Sequence, residues 1–434
     1  MTEPQKIALR EAGIKAAKDS LWEEAKRAFE PLWSTEVRRE AWDGWRLAQA
    51  YYKLNRLEEA LDVCRAVYTL DANHAANRNL YAWVIFKSQF LSRPQKPVHI
   101  LRDAMKGIAR LTSPVDEYSP YMLALFKLLD VLEGQQSKTA IECIEWLDSL
   151  DPSLLSTKCN SFNTGGQLVQ QASDQEKYYA HLTKALFEAD RYEACIVVCN
   201  EALRIITKPH NNNDIWWRRR KVLCEIELGD AEHGVVEMKQ IALKKGDWFL
   251  WDELGDVLMK LNRKEEALDA YFRALPGWDE MKISFWLEFS ILLLNEGQAP
   301  LAKALALASL SVRTDKGWKI PLELRALLSR LGLDRDSPEV PSISESRKSL
   351  QMETNRALSD RQPWLEGTIV NVLPNLKAAF IKGPHGDDNA FAPAALFRIG
   401  LTATMKSQTI HYQVSEGFDK KKNKPSHVVT KLRF

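Results

Sequence analysis

Residues 251–275 read WDELGDVLMKLNRKEEALDAYFRAL. Trp251, Leu254, Gly255 and Leu258 recur at the spacing of one helix face, and Ala267, Tyr271 and Ala274 form a second stripe after a break at Leu261-Asn262-Arg263. The stretch predicts two antiparallel helices joined by a short turn. Small residues at Gly255 and Ala267 let the helices approach closely, and the bulky residues between them fill the remaining space.

The pattern recurs along the chain. Leu47, Ala48 and Tyr51 precede Ala60 and Cys64, across a turn KLNRLEE (53–59) that nearly duplicates KLNRKEE (260–266). Gly13 precedes Ala25 and Phe29, and Ala302 and Ala306 mark a later copy. Taking the small residue of each second helix as a marker, 60−25 is 35, 267−234 is 33 and 302−267 is 35. Ala140, Cys195 with Cys199 and Ala202, and Gly234 mark further units. This spacing resembles the tetratricopeptide repeat, W-x2-L-G-x2-Y followed by A-x3-F and A. The resemblance implies a mainly α protein. About eight or nine helical hairpins over residues 5–333 would stack into a right-handed solenoid with a concave face. The 60-to-140 gap, containing SRPQKP, predicts an irregular repeat with a long loop. The polar stretch within 157–176 predicts an insertion or break.

Composition fits this reading. Of 434 residues, 45% are apolar and 27% charged, with a formal charge of +2. That is the balance of a soluble globular chain, long enough for two to four domains. No run of about 18 apolar residues predicts a membrane span, and MTEPQKIALREAG lacks the apolar stretch of a signal peptide, so a cytoplasmic setting is expected. Cysteines 64, 143, 159, 195, 199 and 224 are scattered through helical sequence without a zinc spacing. They are expected as buried free thiols.

Nothing in the array reads as catalytic. His74, His99, His181, His210 and His233 stand apart, no phosphate-binding glycine motif occurs, and Gly165-Gly166 lies in a polar stretch. Glu23-Glu24, Glu58-Glu59 and Glu265-Glu266 fall where the helix dipole favours acids. No enzymatic activity, cofactor or metal is expected. An enzyme would need its chemistry from the 157–176 loop or from the groove.

The binding candidates are aromatic and basic. In IWWRRRK (215–221), aligning Gly234 with Ala267 puts Trp216, Arg219 and Leu223 on the groove side, and Trp217, Cys224 and Leu228 on the packing side. Trp42 and Trp45 offer a second candidate. Trp and Arg are the types that dominate interface energies.

After Leu333 the pattern stops. Residues 334–363 are rich in Ser, Pro and charge and read as a linker, with one short helix from Glu345 to Ser359. Residues 364–434 then turn β-like. GTIVNVLPNLKAAFI (367–381), NAFAPAAL (389–396), LTATMKSQTIHYQVSEG (401–417) and HVVTKLRF (427–434) together resemble a cold-shock domain, a small five-stranded oligonucleotide-binding (OB) barrel. The resemblance implies a base-stacking surface, of which Phe380 and Phe391 survive. Asn371, Ala378 and Pro393 stand where the family carries Trp, Phe and His. Lys377, Lys382, Lys420, Lys421, Lys422 and Lys424 supply positive charge for a phosphate backbone. From 361 to 434 there are eleven Lys and Arg against five Asp and Glu, a local excess of six.

The resulting expectation is a non-enzymatic scaffold: a solenoid gripping a protein partner, with a barrel that adds a second contact. The rival is an RNA- or single-stranded-DNA-binding protein whose solenoid is an oligomerisation or docking arm. The combination of repeats and barrel looks like that of proteins from bacterial defence or stress systems.

Overall fold

A left-handed turn residue sets the geometry of each regular hairpin. Ser20, Asn55, Asp190, Gly229, Asn262 and Gly297 all have positive φ, between 55° and 99°. The amide of the following residue bonds back five positions: Leu21 to Ala16, Arg56 to Tyr51, Arg191 to Leu186, Asp230 to Glu225, Arg263 to Leu258 and Gln298 to Leu293, at 2.8–3.0 Å. This is the bond that closes a helix in a Schellman motif. Five residues after each turn residue comes the marker read from the sequence: Ala25, Ala60, Cys195, Gly234, Ala267 and Ala302, all buried. The 33–35-residue period thus has a fixed internal unit of turn plus marker.

The computed structural model describes residues 1–34, 39–135, 139–159, 161–164, 167–333, 340–384, 389–397, 400–419, 422 and 424–434. They divide into two units, Met1–Cys224 and Glu225–Phe434.

The first unit runs α1 (Glu3–Lys18), α2 (Trp22–Ser34), α3 (Ala41–Lys53), α4 (Leu57–Leu70), α5 (Ala75–Ile85), α6 (Val98–Leu111), α7 (Tyr121–Glu133) and α8 (Ala140–Asp148). A two-stranded hairpin, β1 (Ser161–Thr164) and β2 (Gln167–Gln170), precedes α9 (Asp174–Glu188), α10 (Tyr192–Ile205) and most of α11 (Asp214–Glu227). Two cores hold it. One gathers Phe29, Leu32, Trp33, Leu47, Tyr51 and Cys64. The other extends from Ala82 to Cys224 and centres on α7, whose apolar run faces neighbours on several sides. The irregular repeat after residue 60 is α5, continued by a π-helical turn at Phe86–Phe90 before the loop to α6. The break expected at 157–176 contains the β1–β2 hairpin, whereas the two units part inside α11. Ala140 is the first residue of α8.

The second unit contains α12 (Ala231–Lys245), α13 (Trp248–Lys260), α14 (Lys264–Ala274), α15 (Ile283–Asn295), α16 (Ala299–Asp315), α17 (Leu322–Arg330) and α18 (Ile343–Arg361). At Gly255 a Cβ would stand 2.6 Å from Cδ1 of Tyr271, so only glycine lets α14 lie this close to α13. The linker expected over 334–363 is for most of its length α18, a 19-residue helix opened by a Ser342–Glu345 capping box. Ser346, Leu350 and Thr354, one turn apart, are its buried residues, and it packs against α16.

Five strands follow: β3 (Leu365–Val372), β4 (Ala378–Lys382), β5 (Ala390–Pro393), β6 (Thr409–Asp419) and β7 (Lys424–Arg433). They close in the order β3-β4-β5-β7-β6, with β5 and β7 parallel and the other pairs antiparallel. The interior holds Ile369, Ala379, Ile381, Ala392, Phe397, Ile410, Tyr412 and Val429. Gly367 makes room for Tyr412, whose ring would lie 2.8 Å from a Cβ there. The strand expected over 401–417 starts only at Thr409. Leu401 and Met405 instead fill the interior from an irregular segment with a 3-10 turn at Ala403–Met405.

Candidate functional site

On the barrel, alternation decides which side chains face out. Ala379 and Ile381 point inward on β4, and Ala390 and Ala392 on β5, which turns Phe380 and Phe391 outward. The two are directly paired across the strands, their rings 5.8 Å apart at 67°. Phe391 is 36% exposed. Asn371 pairs with Phe380 on one side and Val428 with Phe391 on the other, so the outward row reads Asn371, Phe380, Phe391, Val428. Lys382 is exposed on the same face of β4, two residues from Phe380, and Lys377 is exposed just ahead of that strand. Lys422 and Lys424 lie at the β6–β7 tip, where the Lys422 amide donates to Asp419 Oδ1 at 3.1 Å. Lys424 is four residues along β7 from Val428, about 13 Å by strand rise. Lys420 and Lys421 lie outside the described residues. Trp364, which the sequence reading passed over, is 39% exposed beside β3 and covered by the Arg433 guanidinium at 4.2 Å.

On α11, Trp216 is 39% exposed, and Arg219 and Leu223 are half-buried. Trp217, Val222 and Cys224 are fully buried, the first and last of them being packing-side residues in the sequence reading. Leu228 departs from it: one residue past the end of α11, it is exposed. Arg220 points inward, donating to Thr183 Oγ1 at 3.0 Å and to the Ala180 carbonyl at 3.5 Å. Burial holds its guanidinium below the ordinary arginine value.

Trp42 and Trp45 sit three apart on α3, ring centroids 4.8 Å apart. Arg46 lies over both, at 4.9 and 4.4 Å. His74, whose side chain caps α5 by accepting from the Asn77 amide, completes the cluster about 6 Å from each ring. Trp42 remains 45% exposed. The thiols behave as expected at five positions, but Cys159 is exposed. Cys195 Sγ donates to the Thr183 carbonyl and lies 3.9 Å from Cys199 Sγ, and the bond between the two sulfurs, then burial, pushes the Cys199 thiol up.

A cleft of about 450 Å³ opens within the second unit, lined by α12–α14, the end of α18 and the β6–β7 hairpin. Lys239 Nζ and Arg273 Nη2 converge on Glu416 Oε2, at 2.9 and 3.1 Å. Burial raises the Glu416 carboxyl, but the bond to Lys239 and the charges of Lys239 and Arg273 outweigh it and leave it below the usual carboxylate value. Arg361, the last residue of α18, pairs with Asp269 at 2.6 Å and lies 4.6 Å over Phe272. Gln413 Nε2 donates to the Ser359 and Gln362 carbonyls at 2.9 and 2.5 Å. The barrel is therefore bonded to α12, α14 and α18. Sequence spacing gives no sign of this, since Arg273 and Glu416 are 143 residues apart.

Among the described residues no group of three or more His, Cys, Asp or Glu is arranged to hold a metal ion, and no helix is long and apolar enough to cross a membrane.

One hairpin matches a known family: the tetratricopeptide repeat matches residues 45–74, which hold α4 and most of α3. The chain thus contains a segment that matches the tetratricopeptide repeat. A domain of unknown function (DUF7017) matches residues 215–342. No curated protein matches the chain. Among solved structures it is similar to one of Naa15/Naa10 bound to HypK-THB, at 15% identity and a TM-score of 0.39, over 82% of this chain and 52% of that one. The chain thus spans about half the length of that protein. It is also similar to a human IFIT1 dimer with PPP-AAAA (12% identity, TM-score 0.32, 81% of this chain and 82% of that one). A third is a tetratricopeptide repeat protein from Parabacteroides merdae (10% identity, TM-score 0.29, 62% and 92%). At these values the likenesses carry no functional conclusion.

Proposed function

We propose that the chain is a non-enzymatic scaffold whose helical repeats bind a protein partner and whose terminal barrel, read as OB-like, makes a second contact. The observation that carries this is the contrast on α11. Trp217 is wholly buried while its neighbour Trp216 is kept at the surface beside Arg219 and Leu223. A large ring partly exposed on a helix loses little entropy on docking, which suits an interface anchor. The reading extends to a cytoplasmic setting and, by the resemblance of repeats plus barrel, to a bacterial defence or stress system. The test is capture of partners from the source cell on the full chain, with and without nuclease, using wild type and Trp216→Ala. Nuclease-resistant capture lost in Trp216→Ala supports it; capture that vanishes on nuclease treatment overturns it.

A second reading, weak binding of RNA or single-stranded DNA on the barrel, is favoured by the outward Phe380–Phe391 pair. Unpaired bases stack on such rings, and nearby lysines would hold phosphates without sequence preference. Titration of the full chain with a labelled single-stranded oligonucleotide at two salt concentrations tests it. No binding at the lower salt removes it.

A further inference from the structure

Beyond Ser415 and Val428 the β6–β7 hairpin leaves the barrel. β3 pairs with β6 only as far as Leu365 with Tyr412, and β5 meets β7 at Phe391 with Val428. The arm that continues to Asp419 and Lys424 lies along α12. Its Glu416 is bound there twice over. Lys239 and Arg273 share the carboxylate, and Arg273 Nη1 also donates to the Glu416 backbone carbonyl at 3.3 Å. One arginine thus reads both the side chain and the main chain of the same residue. That is recognition of an acidic residue in an extended segment.

The site is pre-arranged from the helix side. The Arg273 guanidinium rests 4.8 Å over the ring of Trp251, which is itself buried with Leu254 and Leu258. The present occupant holds it loosely. The Glu416 and Lys239 side chains are 38% and 46% exposed, and open cleft volume remains beside them. Ion pairs at such exposure contribute little, so a competing carboxylate need not overcome much.

We propose that α12–α14 carry a binding site for an extended acidic segment of a partner protein, and that the chain's own β6–β7 arm occupies it through Glu416. The inference rests on the scaffold reading and adds the partner's chemistry. Charge complementarity selects the occupant: Lys239 and Arg273 are arranged for a carboxylate, and a neutral strand would leave both cations unpaired.

The test uses the full chain and a fluorescein-labelled peptide of alternating Glu and Thr, read by anisotropy, with a Gln-Thr peptide as control. Glu416→Gln keeps the shape of the side chain and removes the internal competitor. It is expected to tighten binding of the acidic peptide roughly two- to thirtyfold over wild type, the range that two such ion pairs span. Adding Arg273→Gln is expected to abolish the gain, and the control peptide to bind neither chain. Equal affinity of wild type and Glu416→Gln, no binding to either, or a gain that survives Arg273→Gln overturns the proposal. Melting curves of each variant show that the fold is kept. Partner capture that Arg273→Gln leaves unchanged would sink this site while leaving the scaffold reading in place.

Discussion

The ring of Tyr271 occupies the space in which a side chain on Gly255 would begin, with Cδ1 2.6 Å from the missing Cβ. Tyr271 Oη also donates to Asp256 Oδ1 at 2.7 Å, one residue beyond that glycine, so the ring cannot swing aside without losing the bond. Gly255→Ala is therefore expected to destabilise the second unit by about 1–3 kcal/mol, although alanine is the better helix former. Thermal unfolding of the two chains checks it. A higher midpoint in the alanine variant would show that α13 and α14 can move apart cheaply.

The adjacent tryptophans of α11 should separate stability from binding. Trp217→Ala removes a fully buried ring and is expected to cost about 3–5 kcal/mol. Trp216→Ala should change stability by less than about 1 kcal/mol and act on partner capture instead. Denaturant titration of both variants gives the comparison.

Asp252 makes the second unit sensitive to pH. Burial, then the nearby charges of Asp256, Glu288 and Glu253, pushes its carboxyl up to about 7 from an ordinary 3.8. The folded chain thus keeps a proton that the unfolded chain releases. The associated stability is complete below about pH 4, declines as pH rises, and is gone above about 7. Asp252→Asn, which stays neutral, should be more stable than wild type at pH 8 by on the order of 1–2 kcal/mol, after allowance for partial exposure. The difference should close towards pH 4. Melting temperatures across pH 4–8 measure it, and parallel curves would rule the account out.

For the barrel, the ring pair sets a quantitative expectation. If single strands bind there, Phe391→Ala and Phe380→Ala should each weaken binding by about 1–3 kcal/mol, with little change in salt dependence. Neutralising Lys382 should instead flatten the salt dependence. Anisotropy titrations at several salt concentrations distinguish the two effects.

What the sequence shows and hides follows from the distance over which each feature is encoded. The marker residues are legible because each depends on a turn five residues away and a partner helix one hairpin away. Phe380 and Phe391 are legible through the cold-shock resemblance, and strand alternation then turns both outward. The core of α18 is legible as the short helix over Glu345–Ser359, but its packing is not: among its nineteen residues only Ser346, Leu350 and Thr354 are buried, a stripe too narrow to contradict a linker composition. Leu401 and Met405 misled the strand assignment because apolar residues four apart in an irregular segment can fill a barrel as well as a strand does. The Lys239–Arg273–Glu416 contact has no local signature at all, because its members come from three separate elements.

The constant five-residue interval between turn and marker carries an evolutionary and practical corollary. A deletion or insertion inside that interval rotates the second helix by about 100° and takes its small residue off the seam. Between hairpins the chain is under no such constraint. The turns at Asp190 and Gly229 are 39 residues apart instead of 33–35, and the extra length is absorbed at His210–Asn212, where Asn211 and Asn212 adopt left-handed backbone. Length variation among homologues should collect at such joints, and a reporter domain grafted into this protein belongs there and not at the tight corners.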